Sequence, residues 1–330
     1  MKTTLKLATI GLLASAAALL AAGPQDKANL KGTIKIDGSS TVFPITEAVA
    51  EEFRKESPKV RATVGVSGTG GGFKRFAAGE IDIADASRPI KKAESEAASK
   101  AGVEYIELPV AFDGLTIVVN KKNTWCNSLT VEQVKKIYSA ASPVKTWQEL
   151  DPSWPAKPIK VYSPGTDSGT FDYFKEVTVG KDGAIRSDIS VSEDDNVLVR
   201  GVEGDEGSVG FFGCAYYFEN KDQLKAVAID GGKGPVGVSV ESVENGTYAP
   251  FSRPLFIYVN KKSADRPEVA AFIQFYLTKA AELAGEVGYV KLPGTIYSKV
   301  AANWEKRRTG TQFTKPNGDS VTGSLANVYE

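Results

Sequence analysis

The pattern of apolar and polar residues changes repeatedly along the chain. Segments with the two-residue period of a strand are followed by segments with the period of a helix. The stretch KGTIKIDG alternates apolar and polar positions, which predicts a strand that ends in a glycine turn. In the next stretch, PITEAVAEEFRKESP, Ile45, Val49 and Phe53 share one face of a helix that ends before Pro58. The same change of period follows VRATVGVS and PIKVYS. Strands that alternate with helices predict an α/β fold with mixed, mostly parallel sheets flanked by helices.

Two strand-like segments have nearly the same sequence. LTIVVNKKN occupies 115–123 and LFIYVNKKS occupies 255–263. They are either two buried strands with a similar exit turn or the two crossings between a pair of lobes. A length of 330 residues favours two lobes. We therefore predict lobe one at 30–118 plus 257–330 and lobe two at 119–256, with a ligand cleft between them.

The first residues differ in composition from the rest of the chain. Lys2 and Lys6 precede an apolar stretch at 7–20 and then small residues, a pattern typical of a secretory signal peptide. We predict a signal peptide at 1–22, with a retained membrane anchor as the alternative. Gly23 stands where a lipoprotein signal places its cysteine, so lipid attachment there is excluded. The mature protein is expected to be periplasmic or extracellular.

The composition argues against several classes of protein. The chain has 40 basic and 40 acidic side chains, so no strong net charge attracts nucleic acid. It has no histidine, which rules out serine–histidine and cysteine–histidine catalysis as well as histidine-ligated metals. We predict no metal, no cofactor and no enzymatic activity.

The two cysteines, Cys126 and Cys214, leave two possibilities open. In an exported protein such a pair predicts a disulfide, and the alternative is two buried free thiols. Without histidine, two cysteines make a poor metal site.

Three turns rich in hydroxyls and glycine stand where a predicted strand meets a predicted helix. They are DGSSTVFP at 37–44, VSGTGGGF at 66–73 and SPGTDSGTF at 163–171. The first N–H groups of a helix lack internal partners and carry partial positive charge, and glycine lets a ligand approach the backbone. One such turn is ordinary capping. Three of them predict helix N-termini that converge on one oxyanion.

Other motif interpretations fail on single residues. In GTGGGF, Phe73 stands where a dinucleotide-binding fingerprint needs its last glycine, and no phosphate loop with Gly-Lys-Ser/Thr occurs. In GVSGT, Thr69 stands where a nucleophile elbow needs glycine. Arg88, in ADASRPI, is either a surface arginine or a ligand-binding residue whose planar guanidinium donates to phosphate or carboxylate.

Taken together, these segments resemble the periplasmic phosphate-binding protein of the phosphate-specific ABC transporter. The resemblance is carried by DGSSTVFPITEAV, VSGTGGGFKRFAAGEIDIADASRPI, SPGTDSGTFDYF and GSVGFFGCAYYFEN, and it extends over the mature chain. It implies a two-lobed type II periplasmic-binding-protein fold that closes on inorganic phosphate and delivers it to the permease subunits of the transporter. We expect a monomer that binds no nucleic acid.

The resemblance implies a phosphate site built from the three turns. Carried over by position, the donors are Ser40, Thr41, Ser67 or Thr69, Ser168, Gly169 and Thr170.

Two positions depart from the family pattern. Pro164 replaces an arginine, and Ser87 replaces an aspartate that accepts the proton of phosphate and so rejects sulfate. Our hypothesis is that Arg88 supplies the missing cation and Ser87 a hydroxyl. The candidates for the missing carboxylate are Asp85, Asp167 and Asp172. Without such a replacement, discrimination against sulfate is weaker.

Other functions fit the same residues. A receptor for sulfate or molybdate would use the same kind of donors. An exported phosphate-sensing or adhesion protein on the same fold would account for the missing lipid cysteine. A phosphate-ester hydrolase would need a metal cluster or an activated nucleophile, and the sequence offers neither.

Overall fold

The computed structural model describes residues 27–166, 168–180, 182–192, 194–315, 321 and 324–330. The predicted signal peptide at 1–22 lies outside the described residues, as does Asp167.

Twelve strands are assigned in the described part of the chain. They are β1 (Gly32–Gly38), β2 (Val60–Val66), β3 (Ile83–Ala86), β4 (Tyr105–Asn120), β5 (Ser128–Thr130), β6 (Lys160–Pro164), β7 (Ser190–Ser192), β8 (Ser208–Gly213), β9 (Leu224–Ala226), β10 (Ala228–Asp230), β11 (Pro235–Val236) and β12 (Ser252–Asn260).

Eleven α-helices accompany these strands in the same described residues. They are α1 (Phe43–Glu56), α2 (Gly68–Ala77), α3 (Lys92–Lys100), α4 (Val131–Tyr138), α5 (Gly169–Thr178), α6 (Asp195–Glu203), α7 (Cys214–Asn220), α8 (Val240–Glu244), α9 (Pro267–Glu286), α10 (Gly294–Glu305) and α11 (Leu325–Val328). Short 3-10 helices lie at Lys27–Asn29, Trp147–Glu149 and Ser263–Asp265.

One continuous path of strands runs through the molecule in the order β2-β1-β3-β12-β4-β8-β6-β7, with β9 paired to β4 beside it. Strand β1 is parallel to β2 and β3, and β6 is parallel to β7 and β8. The long strands β4 and β12 run antiparallel to their neighbours. Strands β5, β10 and β11 form a separate small sheet. The predicted α/β class with mixed sheets is confirmed.

Strand β4 joins two halves of this path. Its residues 105–114 pair with β12, and its residues 115–119 pair with β8. We call the part with β1, β2, β3, β12 and residues 105–114 half one. The part with β6, β7, β8, β9 and residues 115–120 is half two. Because β12 begins at Ser252 beside Gly114, both connecting strands pass the same point, where the predicted lobes would meet.

The two segments with similar sequence end in the same local structure. Asn120 Oδ1 accepts from the N–H of Lys122 at 2.8 Å, and Asn260 Oδ1 accepts from the N–H of Lys262 at 2.9 Å. The two strand ends lie in different halves, since residues 118–120 pair with β9 and Val259 pairs with Ile83 of β3. The exact lobe boundaries remain a prediction.

Aromatic side chains hold the helices of each half in place. In half one, Phe53 of α1 lies 5.4 Å from the rings of Phe272 and Phe275 of α9. In half two, Phe174 of α5 stacks on Phe211 of β8 at 3.7 Å between ring centroids. The helical face predicted for α1 is buried as expected. These contacts hold α1 and α5 against their own halves.

The disulfide considered for Cys126 and Cys214 is not formed, and both residues are buried free thiols. Cys214 follows β8, whereas Cys126 lies close enough to Lys225 of β9 for the two charges to interact. Strands β8 and β9 flank β4 on opposite edges, about 10 Å apart at the usual strand spacing. This separation exceeds the reach of a disulfide. Burial raises the pKa of each thiol to about 12.

Among the described residues, no helix combines the length and the hydropathy that a membrane span requires.

Candidate functional site

The three hydroxyl–glycine turns follow the ends of β1, β2 and β6 and lead into α1, α2 and α5. The first two turns are neighbours because β1 and β2 are parallel and in register, with Gly38 beside Val66. The N–H of Ser67 donates to the carbonyl of Gly38 at 3.1 Å. Gly72 is required here, since a Cβ on it would lie 2.7 Å from the Cα of Gly38.

The third turn, in half two, touches the first turn across the boundary between the halves. The hydroxyl of Ser40 donates to Oδ2 of Asp172 at 3.1 Å, and the hydroxyl of Thr41 donates to the carbonyl of Gly169 at 3.4 Å. A Cβ on Gly169 would lie 2.7 Å from the Cα of Thr41. Glycine at 169 therefore allows the two backbones to meet.

A cavity of about 450 Å³ lies between these turns. Six of the predicted site residues line it, four from the first two turns in half one and two from the end of β3: Ser40, Thr41, Ser67, Thr69, Ser87 and Arg88. The structure therefore brings together most of the site predicted from the sequence.

The predicted donors Ser168, Gly169 and Thr170 are not among the residues that line this cavity. Ser168 is the N-cap of α5, and its hydroxyl accepts from the N–H of Thr170 at 3.2 Å. Thr170 lines a second, smaller cavity of about 280 Å³ together with Asp113 and Tyr289. In this arrangement the segment positions α5 and closes the contact with Thr41.

Several predicted donors are engaged inside the protein. The N–H of Thr41 donates to Oγ of Ser39 at 3.2 Å. The hydroxyls of Thr69 and Ser87 lie 3.1 Å apart, and the N–H of Ser87 donates to Oγ1 of Thr69 at 3.1 Å. These bonds fix the orientation of the hydroxyls on the cavity wall.

Arg88 lies on the cavity wall with its guanidinium already paired. Its Nη1 and Nη2 donate to the two carboxylate oxygens of Glu94 at 2.9 Å and 2.8 Å. Burial alone would raise the pKa of Glu94, but its bond with Arg88 and the N–H of Lys91 outweigh this effect and hold the pKa below its ordinary value. The guanidinium of Arg88, which was expected to bind an anionic ligand, therefore binds the carboxylate of Glu94 instead.

A second arginine on the wall, Arg253, was missed by the sequence reasoning. It belongs to β12, and its Nη2 donates to Oγ1 of Thr41 at 3.0 Å while its Nε donates to Asp113 at 3.2 Å. Its guanidinium lies over the ring of Tyr173 at 3.5 Å. Thr41 and Asp113 belong to half one and Tyr173 to half two, so Arg253 stands where the two halves meet.

Sequence reasoning had a weak signal for Arg253. The residue lies in FSRPLF, directly before one of the two similar segments that were singled out as crossings. What identifies it is the register of β12 with β4, which places Arg253 opposite Asp113. Those two residues are 140 positions apart.

The candidate carboxylates occupy different environments. Asp172 is exposed and lines the cavity. Asp85 is buried under the first turn, neither of its side-chain oxygens has a well-formed hydrogen bond, and burial raises its pKa to about 8. Of these two candidates, the ones that the structure describes, Asp172 alone lines the cavity.

Asp113, the partner of Arg253, is almost completely buried. Burial raises its pKa, and the charge and hydrogen bond of Arg253 oppose the rise. Among the described residues, no group of three or more cysteine and acidic side chains is arranged to hold a metal ion. The cavity is thus a hydroxyl-lined, partly basic site suited to an oxyanion.

Comparison with known proteins assigns the chain to a family. A family model described as PBP superfamily domain matches residues 23–280. The chain belongs to the PBP superfamily.

Within the PBP superfamily, curated relatives match over most of their length. Protein SphX of Synechococcus elongatus is 52% identical over 302 residues, which cover 91% of this chain and 88% of that protein. Phosphate-binding protein PstS of Staphylococcus saprophyticus is 41% identical over 280 residues, which cover 84% and 86%. The predicted resemblance to the phosphate-binding protein family is confirmed.

A solved PBP structure has the same fold. The crystal structure of a possible phosphate binding protein from Planctomyces limnophilus is 47% identical, with a TM-score of 0.82. The match covers 84% of this chain and 99% of that chain. The type II periplasmic-binding-protein fold expected from the sequence is confirmed.

Proposed function

We propose that this chain is an extracytoplasmic solute-binding protein that captures inorganic phosphate and delivers it to the permease of an ABC transporter for import. One observation carries the proposal: hydroxyls and glycines from two strand–helix turns, the α5 helix of the other half and Arg253 surround one cavity. The names of the relatives, phosphate-binding proteins of bacteria, agree with this ligand.

The energetics suit a reversible binding protein. A hydrogen bond to a charged group contributes roughly 1.5–3 kcal/mol net, and micromolar affinity corresponds to about 8 kcal/mol. Several hydroxyl and backbone donors together with one arginine supply this amount after the cost of ordering the site. No net charge of the protein is needed, which agrees with the balanced composition.

Arg253 is the cation of the proposed site. Its side chain is 14% exposed and reaches the cavity wall beside Thr41. Its Nη1 is 3.7 Å from Glu176, at the long end of ion-pair distances. An arginine held in place by Asp113 and by the ring of Tyr173 offers its remaining N–H groups in a fixed orientation.

Asp172 is the proton acceptor of the proposed site. A carboxylate accepts hydrogen bonds only, so it favours an anion that still carries a proton, such as hydrogen phosphate, over fully ionised sulfate. Asp172 is the candidate that faces the cavity, and the hydroxyl of Ser40 holds one of its oxygens. An unmatched acceptor costs about 1–3 kcal/mol, which is the scale of the selectivity expected.

Titration calorimetry of the mature protein with phosphate, arsenate, sulfate and molybdate tests the proposal. We expect binding of phosphate and arsenate and at least about tenfold weaker binding of sulfate. In Asp172→Asn the gap between phosphate and sulfate should close. Asp222→Asn, which removes an exposed carboxylate outside the cavity, is the matched control.

Each result has a definite meaning. Equal binding of sulfate by the unchanged protein would make it a general oxyanion receptor. Retained selectivity in Asp172→Asn would remove Asp172 from the acceptor role. Absence of binding of every anion would overturn the function itself.

Delivery to a transporter needs a separate test in the cell. Deletion of the gene should slow phosphate uptake under phosphate limitation, and the wild-type protein should restore it. Normal uptake after deletion, with phosphate binding intact in vitro, would favour a sensing role on the same fold.

A further inference from the structure

An eight-residue pattern occurs once in each half of the molecule. SGTGGGFK at 67–74 and SGTFDYFK at 168–175 share serine, glycine, threonine, phenylalanine and lysine at the same five positions. Each copy starts a helix of ten residues, α2 or α5, with its serine at the N-cap. The two helix starts thus repeat both sequence and local structure.

The shared positions also have matching environments. Phe73 and Phe174 are buried, at 3% and 0% exposure, so each fixes the rotation of its helix against its own half. The residue that follows each phenylalanine is a lysine. Lys74 and Lys175 both line the 450 Å³ cavity, one from each half.

These lysines differ from the other cations of the cavity in having no charged partner. Arg88 is paired with Glu94, and Arg253 is paired with Asp113. Among the described residues, no hydrogen bond or ion pair involves the side chain of Lys74 or Lys175. Neither ammonium is therefore held in an ion pair with a described residue.

The chemistry of lysine suits attraction more than fixed recognition. Its ammonium is a strongly hydrated point charge on a flexible stem, whereas arginine offers a rigid fork. Each lysine lies six residues beyond the first residue of its helix, about 9 Å along the axis at 1.5 Å per residue. The lysines therefore stand away from the hydroxyls at the helix starts.

We propose that Lys74 and Lys175 are capture cations, a matched pair that raises the association rate of the anion without holding it once bound. The proposal rests on the phosphate-binding function proposed above and adds a division of labour to it. Two positive charges that line one cavity attract a dianion from solution. Such attraction acts mainly on the association rate and is screened by salt.

Stopped-flow kinetics with phosphate tests this division of labour. Val66→Cys can carry an environment-sensitive dye, because Val66 is 55% exposed and precedes Ser67. Both native cysteines are buried. In Lys74→Gln/Lys175→Gln we expect the association rate constant to fall about three- to tenfold at low salt. The difference should disappear near 0.5 M salt, because the Debye length is then only a few ångströms. The dissociation rate constant should change less than about twofold.

A matched control removes the same charge elsewhere. Lys100→Gln/Lys136→Gln also takes one exposed lysine from each half, outside the cavity, and should leave the association rate nearly unchanged. If the control variant slows association equally, the lower association rate is due to the change in net charge of the protein, and the proposal is wrong. A faster dissociation with unchanged association would also overturn it, because the lysines would then hold the bound anion.

Failure of the underlying function looks different. If the labelled protein and unlabelled protein both fail to bind phosphate, the phosphate-binding function falls and the capture role falls with it. If phosphate binds normally and the double variant associates at the wild-type rate, the capture role alone is wrong.

Discussion

Arg88 and Arg253 line the same cavity, yet the structure gives them different tasks. Arg88 follows β3 and pairs with Glu94, a residue six positions away in the same half. Arg253 lies on β12 and contacts Thr41, Asp113 and Tyr173, which belong to distant parts of the chain. An arginine next to a recognisable motif is thus neutralised locally, while one outside the motif connects the halves at the site.

The largest expected effect is that of Arg253→Ala. Loss of a charge-assisted hydrogen bond of roughly 1.5–3 kcal/mol should weaken phosphate binding about 10- to 100-fold in calorimetry. The variant should also lose stability, because Asp113 is left as an unpaired buried carboxylate, a change that costs about 3–5 kcal/mol.

The pH dependence of stability distinguishes the loss of stability in Arg253→Ala from its loss of phosphate affinity. Without Arg253, the largest effects that oppose burial are lost, and the pKa of Asp113 rises further. When the pKa of a carboxyl is higher in the folded than in the unfolded protein, protonation of that carboxyl favours the folded state. This stabilisation is lost as the pH rises from the unfolded pKa, about 4, through the folded pKa. Thermal melting of Arg253→Ala should therefore fall further below wild type at pH 8 than at pH 5.

A second substitution provides the control. Arg253→Ala/Asp113→Asn should recover stability at pH 8 but not phosphate affinity. Recovery of both would mean that Arg253 acts on the fold alone and never contacts the anion.

The next effect in size is that of Glu94→Gln. This substitution removes the ion pair of Arg88, so that Arg88, like Arg253, could bind the anion. Glutamine keeps an oxygen that can accept from the N–H of Lys91 at the start of α3, but it removes the charge that pairs with Arg88. We expect phosphate to bind about two- to fivefold more tightly, because Arg88 becomes free to attract it. Equal or weaker binding would mean that Arg88 does not reach the anion even when released.

The same variant has a clear pH signature. Glu94 has a lowered pKa, so its pairing stabilises the fold at neutral pH and the contribution is lost as the pH falls through that pKa. Glu94→Gln should therefore melt below wild type at pH 7, and the difference should shrink near pH 3.

Local sequence patterns were sufficient for the elements and for most of the cavity wall. The period of the hydrophobic residues predicts a strand or a helix from residues that are close in sequence. A turn rich in hydroxyls and glycine indicates where the next helix begins. Parallel strands then bring such turns to the same edge, as with Gly38 and Val66. The predicted Ser40, Ser67 and Thr69 reach the cavity for this reason.

The remainder depends on contacts between distant residues. Arg253 meets Asp113 only through the register of β12 on β4. The segment after α10 is polar and rich in glycine. Even so, the N–H of Gln312 donates to the carboxylate of Glu107, and the hydroxyl of Tyr329 donates to its backbone carbonyl. Neither contact leaves a periodic signal, because each is set by tertiary packing.

The smallest expected effect is that of Arg88→Gln, which tests the original hypothesis for this residue. Because Glu94 already neutralises the guanidinium, we expect phosphate affinity to change less than about twofold. In the Glu94→Gln background, the same substitution should reverse the gain in affinity, and this double-mutant cycle measures the coupling directly. A tenfold loss from Arg88→Gln alone would instead return the role of the anion-binding cation to Arg88, with Glu94 displaced when phosphate binds.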